Sequence, residues 1–314
     1  MNKIIDDMIV AIFCYKQSAY IEGAIKSIFN QTVWPKKLYI FDDCSPDDTE
    51  AVIEKTLLEK PEGLNIDFIK NECNVGLVSQ FNKLKGMFND TLIVVQAGDD
   101  MSKPQRLEKQ YQAWKEQRDV KLILSQFDKI DEHGNFVSGR DEGEVFDDSY
   151  QSIIERQVLP AGCTAAIDSS LFNDFPEIDK KVTNEDRVFI FRSRLKGKSI
   201  KLMESLIDYR YDVGISALKQ RTKEEFINKW KVMYERELID LRMNIKDAKA
   251  VGNTEVVKDL DEKHLFVKIL RDLFSGEFDS KAQAWKAYFS RGVKLSRLFK
   301  FNRRVKKYFR NSSC

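Results

Sequence analysis

Apolar residues fall into two alternating periods over the first hundred positions of this chain. Residues 8–14 (Met-Ile-Val-Ala-Ile-Phe-Cys) and 92–95 (Leu-Ile-Val-Val) are short unbroken apolar runs, the pattern of strands buried on both faces. Between 19 and 30, Ile21, Ala24, Ile25 and Ile28 recur at the spacing of one helix face, and Trp34-Pro35 ends that pattern. A second strand is predicted at 38–41, a helix from 49 to about 60, a third strand at 65–69, a helix at 75–88 and a fourth strand at 91–95. Ser45-Pro46-Asp47-Asp48 opens the 49–60 helix, with proline near the first turn and acids favoured by the helix dipole. Strands alternating with helices predict an α/β fold whose mostly parallel sheet carries helices on both faces.

The pattern continues with a helix at 103–118, a strand at 120–127 and a hairpin turn at 131–135. A short strand and helix follow within 158–175, then a helix at 185–197 closed by Gly197, and a strand at 200–211. From about 222 proline and glycine become rare and the text reads helical almost to the end. The expected division is an α/β domain at 1–216, with halves at about 1–100 and 101–216, and a helical region at 217–314.

Two predicted strands end on paired carboxylates. The run 38–41 leads into Asp42-Asp43, and 92–95 leads through Gln96-Ala97-Gly98 to Asp99-Asp100. In a parallel sheet both ends share one edge, and open α/β sheets bind ligands at that edge. Two hard oxygen donors suit Mg²⁺ or Mn²⁺, which takes a few carboxylates and leaves positions for phosphate oxygens. Helix capping accounts for the same acids equally simply, with Pro104 in the first turn of the helix after Asp100.

Bulk composition narrows the class. With 42% hydrophobic and 32% charged residues and a net charge of +2, the 314 residues suit a globular protein with a full core. Five scattered cysteines without zinc spacing read as reduced thiols of a cytoplasmic protein, and two isolated histidines, His133 and His264, argue against a histidine metal site. No signal peptide or membrane-spanning helix is expected. The distribution of charge is uneven: residues 281–314 hold eleven Lys or Arg and no Asp or Glu, interleaved with Trp285, Tyr288, Phe289, Val293, Leu298, Phe299, Phe301, Val305, Tyr308 and Phe309. This pattern predicts basic amphipathic helices on an anionic membrane surface, the alternative being helices packed on the domain with a solvated basic face. No nucleic-acid partner is expected, because the sheet edge is acidic and no binding motif is present.

Five segments occur in a characteristic order. They are Tyr15-Lys16-Gln17 with Tyr20 to Ile28 and Asn30-Gln31-Thr32; Asp42-Asp43-Cys44-Ser45-Pro46-Asp47-Asp48-Thr49; Asn74-Val75-Gly76 with Asn82; Gly98-Asp99-Asp100; and Asn184-Glu185-Asp186-Arg187. Over roughly 8–216 the chain resembles the family 2 glycosyltransferases of GT-A fold, a Rossmann-like α/β architecture, here with a helical carboxyl-terminal extension. The resemblance implies an inverting, metal-dependent transferase. It would move a sugar from a nucleotide-diphosphate sugar, UDP- or dTDP-linked by preference, to a saccharide acceptor. A membrane-surface location of the basic tail suits an acceptor carried on a polyprenyl diphosphate, in assembly of O-antigen, capsule or another bacterial surface polysaccharide on the cytoplasmic face of the membrane. It implies that Tyr15 and Asp43, supported by Asp42, hold the base, and that Asn74, Gly76 and Asn82 line the donor site. Asp99 and Asp100 would bind Mn²⁺ or Mg²⁺, Gly162 and Thr164 would approach the acceptor, and Asp186, beside Glu185, would be the general base. Lys16, Cys44, Phe81, Ala97 and Asp212 depart from the family pattern. Those departures leave open a non-catalytic subunit that binds nucleotide or a partner enzyme.

Overall fold

The computed structural model describes residues 2–139, 146–211 and 222–312. The first strands and helices follow the apolar pattern: β1 (Lys3–Cys14), α1 (Ile21–Phe29), β2 (Val33–Asp42), α2 (Thr49–Leu57), β3 (Ile66–Lys70), α3 (Leu77–Lys83) and β4 (Leu92–Ala97). Next come β5 (Met101–Ser102), α4 (Arg106–Glu116), β6 (Val120–Ile130), β7 (Phe136–Ser138), α5 (Tyr150–Ile154), β8 (Ala166–Asp168), α6 (Ser170–Asn173), α7 (Glu185–Lys196) and β9 (Lys198–Arg210). Four helices close the chain: α8 (Lys223–Ala250), α9 (Thr254–Phe274), α10 (Lys281–Ser290) and α11 (Leu298–Ser312).

Nine strands form one sheet in the order β3-β2-β1-β4-β8-β6-β9-β5, with β7 paired to β6. The half from β3 to β4 is parallel throughout. Beyond it the sheet is mixed, because β8 runs antiparallel to both β4 and β6 while β6 and β9 pair in parallel. Since β2 and β4 both flank β1, their carboxyl ends, and the acids that follow them, lie on one edge. Trp34 and Pro35 belong to β2, not to a turn. Proline is tolerated because Pro35 pairs with Ile5 at a level β3 does not reach, so its missing N–H leaves no ladder bond unmade. The core between sheet and helices gathers Val10, Ile12, Ile25, Ile28, Ile40, Ile53, Val94 and Ile123. Gly197 closes α7 by lacking a side chain: a Cβ there would stand 2.1 Å from the carbonyl oxygen of Asp119.

The chain divides into two compact units, residues 1–180 with 185–217, and residues 181–184 with 218–314. The boundary expected at 216 falls within 212–221, outside the described residues, as does Asp212. In the helical unit α8 opens on a capping box between Thr222 and Glu225. Gly252, at a φ of +74°, lies in the turn from α8 to α9. The inner face of α11 carries Phe301, Val305 and Tyr308, all buried. Phe301 packs on Trp285 and Tyr288, Tyr308 on Phe274, and the Arg304 guanidinium lies 3.7 Å from the centre of the Trp230 ring. These aromatic residues of the basic tail therefore form the unit's core. Among the described residues no helix is long and apolar enough to cross a membrane.

Candidate active site

A cavity of about 460 Å³ opens at the carboxyl edge of β1, β2 and β4. It brings together Tyr15, Asp43, Asn74, Gly76, Gly162 and Glu185 from five separate stretches of sequence. Its apolar wall is Phe13, Leu77, Phe81 and Val95. The rings of Phe41, Phe13 and Phe81 stack in series at 5.2 and 4.7 Å, so Phe81 fills an aromatic column where the family pattern has arginine. No Lys or Arg lines the cavity among the described residues.

The loop after β1 is held by the segment after β2. Ser45 Oγ accepts from the Lys16 N–H at 2.9 Å, Thr49 Oγ1 from the Gln17 N–H at 2.9 Å and Asp47 from the Ser18 N–H at 3.3 Å. This lacing sets the backbone that presents Tyr15. Asp43, almost wholly buried, accepts from Asn71 Nδ2 at 2.7 Å and the Val75 N–H at 2.9 Å on Oδ1, and from the Gly76 N–H at 2.8 Å on Oδ2. One acceptor position of Oδ2 remains for a ligand. Gly76 has φ +81° and ψ 155°, a region open essentially to glycine alone. Asp42 does not reach the cavity. Its carboxylate takes the Ser45 N–H and hydroxyl and closes the turn.

Two further residues expected in the site are engaged elsewhere. Asn82 bonds both ways with the backbone of Ile178, accepting at 2.9 Å and donating at 2.8 Å, so its amide joins α3 to a distant loop. Thr164 is fully buried, its hydroxyl donating to the Ala161 carbonyl and accepting from the Ser125 N–H. Its neighbours Gly162 and Cys163 line the cavity instead.

The acidic turn 97–100 is built around Gln96 and Arg106, which sequence patterns did not single out, and Arg210 of the segment Tyr209-Arg210-Tyr211. Gln96 donates to the carbonyl of Asp100 at 2.6 Å and accepts from Arg106 Nη1 at 2.7 Å. Arg106 is fully buried and also donates to the carbonyls of Val95 and Cys163; burial lowers its pKa to about 10. Arg210 clamps the turn from β9, its N–H on Asp100 Oδ1 at 2.9 Å and its Nε on the Asp99 carbonyl at 3.1 Å, while its guanidinium covers the Tyr20 ring. Gly98 admits no side chain: a Cβ would lie 2.2 Å from Gln17 Oε1 and 2.8 Å from Cys14 Cβ.

Asp99 and Asp100 stand just past Gln96 and Ala97, the last residues of β4 on the cavity wall. Burial raises the pKa of Asp99, against its own backbone N–H and the charge of Arg210. Burial and then the charge of Asp99 push Asp100 up to about 7. The Cys163 thiol has its pKa raised well up, by burial and then by the charge of Asp100. Among the described residues no group of three or more His, Cys, Asp or Glu could hold a metal ion. Two carboxylates without a third ligand fit Mg²⁺ or Mn²⁺ brought in with a diphosphate better than a permanently caged ion.

Glu185 and Asp186 begin α7, in its first turn at the positive end of the helix dipole. Glu185 lines the main cavity and also, with Asp186, a much smaller adjoining pocket. A Cβ on Gly162 would lie 3.3 Å from Glu185 Oε1 and 3.4 Å from Asp186 Cβ, so this glycine leaves room for both acids; Glu185 reaches the main cavity, whereas Asp186 lines only the small pocket. Gln80 was not foreseen at all. It is buried in the cavity wall, and its Oε1 has no hydrogen-bond partner.

The sequence profile of glycosyl transferase family 2 matches residues 9–170, slightly more than half of the chain, and the chain belongs to that family. An uncharacterized glycosyltransferase of Methanocaldococcus jannaschii is 24% identical over 254 residues, covering 74% of this chain and 87% of the relative. Among solved structures, residues 1–349 of S. aureus TarS in complex with UDP superimpose with a TM-score of 0.53 at 16% identity, over 98% of this chain and 81% of that one. The mannosyltransferase PcManGT of Pyrobaculum calidifontis, in complex with GDP-Man and Mn²⁺, gives 0.54 at 11% identity, over 97% and 84%. The fold is thus GT-A-like with a helical carboxyl-terminal region, and the protein is a glycosyltransferase.

Proposed function

We propose that the chain transfers a glycosyl group from a nucleoside-diphosphate sugar to a saccharide hydroxyl with inversion, in one displacement. The observation that carries this is the single cavity that unites Tyr15, Asp43, Asn74 and Gly76 with Gly162 and Glu185. Tyr15, partly exposed, offers a face for the base. The open position on Asp43 suits a ring N–H, as uracil or thymine presents. The neighbours crystallised with UDP, UDP-GlcNAc and GDP-Man support a nucleotide-sugar donor.

A diphosphate needs positive charge, and the described lining has no cationic side chain. Asp99 and Asp100 would hold Mg²⁺ or Mn²⁺, which when bound compensates the charge of the leaving diphosphate. Asp186 would accept the proton as the acceptor oxygen bonds to the anomeric carbon; the bond to the diphosphate breaks with its electron pair on the phosphate oxygen. Positioning carries much of the barrier reduction, because the hydroxyl becomes acidic only as the new bond forms. The acceptor is proposed to be lipid-linked, in surface-polysaccharide assembly, which puts the protein peripherally on the cytoplasmic membrane face.

Release of nucleoside diphosphate from a panel of UDP-, dTDP- and GDP-sugars tests the reading. With Mn²⁺, Asp186→Asn should lower kcat by about 10²-fold or more with little change in donor KM. An equal loss in Glu185→Gln alone would move the base to Glu185. Donor binding without turnover in the wild type would favour the non-catalytic subunit.

A further inference from the structure

Residues 281–314 contain eleven of the chain's 52 Lys and Arg and none of its 50 Asp and Glu, so the remainder is net acidic. The long apolar face of α11 is already used, since Phe301, Val305 and Tyr308 are buried within the helical unit. The opposite face is a different surface. Phe299, Arg303, Lys306 and Arg310 follow one another at intervals of four, three and four, which at 3.6 residues per turn places them in one stripe. All four are exposed. Leu295, one turn before Phe299, extends the stripe through the 3-10 turn that leads into α11. Leu295 is 70% and Phe299 79% exposed, and Phe289 at the end of α10 is 57% exposed. The Tyr288 hydroxyl donates to the Lys294 carbonyl at 2.6 Å, which fixes the end of α10 beside the start of the stripe.

We propose that this outer face, with Leu295 and Phe299 at its foot and Arg303, Lys306 and Arg310 along its length, docks on an anionic lipid bilayer. The inference rests on the membrane-face reading above and names the surface responsible. Cations set among headgroups with apolar side chains at the acyl boundary are the arrangement of an interfacial helix. A nucleic acid would engage the cations but leave Leu295 and Phe299 without a partner. Each cation near a charged membrane adds about fivefold to partitioning at low salt.

The test is cosedimentation of the full chain with phosphatidylglycerol–phosphatidylcholine vesicles and with phosphatidylcholine vesicles, at low and high salt. The wild type should sediment with the anionic vesicles only. The triple variant Arg303→Gln, Lys306→Gln, Arg310→Gln should lose about a hundredfold in partitioning. Leu295→Gln with Phe299→Gln should keep weak binding that salt abolishes. Both variants should melt as the wild type does, because every altered side chain is exposed. The proposal fails if the wild type ignores anionic vesicles, if the triple variant binds as well as wild type, or if phosphatidylcholine serves equally. It fails also if the stripe variants abolish a self-association seen without lipid. Nucleoside-diphosphate release on the same preparations needs no membrane, so loss of docking and failure of the transferase reading are separable.

Discussion

Gln80 carries a buried acceptor with no partner, and such an atom costs about 1–3 kcal/mol in a folded protein. A cavity wall is where that cost can be recovered, by a hydroxyl or N–H of a bound donor. Gln80→Leu should therefore leave stability unchanged or raise it in urea denaturation, while raising donor KM severalfold. A purely structural amide would do the reverse. Lys16 and Cys44, beside the site, are among the non-glycine residues with strained backbone, at φ of +57° and +58°. The family pattern has asparagine and glycine there, the types that tolerate the left-handed region. Cys44→Gly should raise stability by up to about 1 kcal/mol, read as a higher urea midpoint. The residues that sequence made legible are those with short-range signatures: paired acids after a strand, Gly76 before a helix, acids opening α7. Arg106 and Gln80 had none, because their roles come from strands and helices far apart in sequence. Asn82 and Asp42 matched a pattern, yet their hydrogen bonds serve the scaffold.

At the scale of elements, the parallel half of the sheet was readable because buried strands and amphipathic helices have different periods. The mixed half was less so: β8 is three residues long, and its antiparallel entry between β4 and β6 is a pairing choice that no local pattern encodes. In the tail, the helical period was plain but its partner was not. The apolar face packs on α8 and α9, as the packed-helix alternative had it, and only the outer basic face is left for the proposed lipid contact. Truncation before α11 should thus expose Tyr288, Trp230 and Phe274 and unfold the helical unit, seen as loss of helical circular dichroism and a lower melting temperature. Arg304→Ala should destabilise it more mildly, by about 1–2 kcal/mol, through the lost stacking on Trp230.

For the whole molecule, charge sets the response to pH. Burial alone would raise the pKa of Asp168, but hydrogen bonds from Ser170, Trp114 and Lys121 outweigh it and hold the carboxyl below its usual range. Asp7 is lowered in the same way by Lys115 and Tyr111, against burial. A depressed folded pKa contributes stability that is complete above the unfolded value, about 3.9, and fades as pH falls through the folded value. The melting temperature should accordingly fall on acidification below about pH 5, and Asp168→Asn should lower it at neutral pH while flattening the acid limb. Arg106 has a consequence of another kind. It braces the acidic turn from within through Gln96, and with Arg210 on the Asp100 carboxylate and the Asp99 carbonyl both acids are held in place before any ligand arrives. Calorimetric titration of Mn²⁺ with nucleoside diphosphate should then record a rigid-body event, with a small heat-capacity change and a far-ultraviolet spectrum identical in chelator.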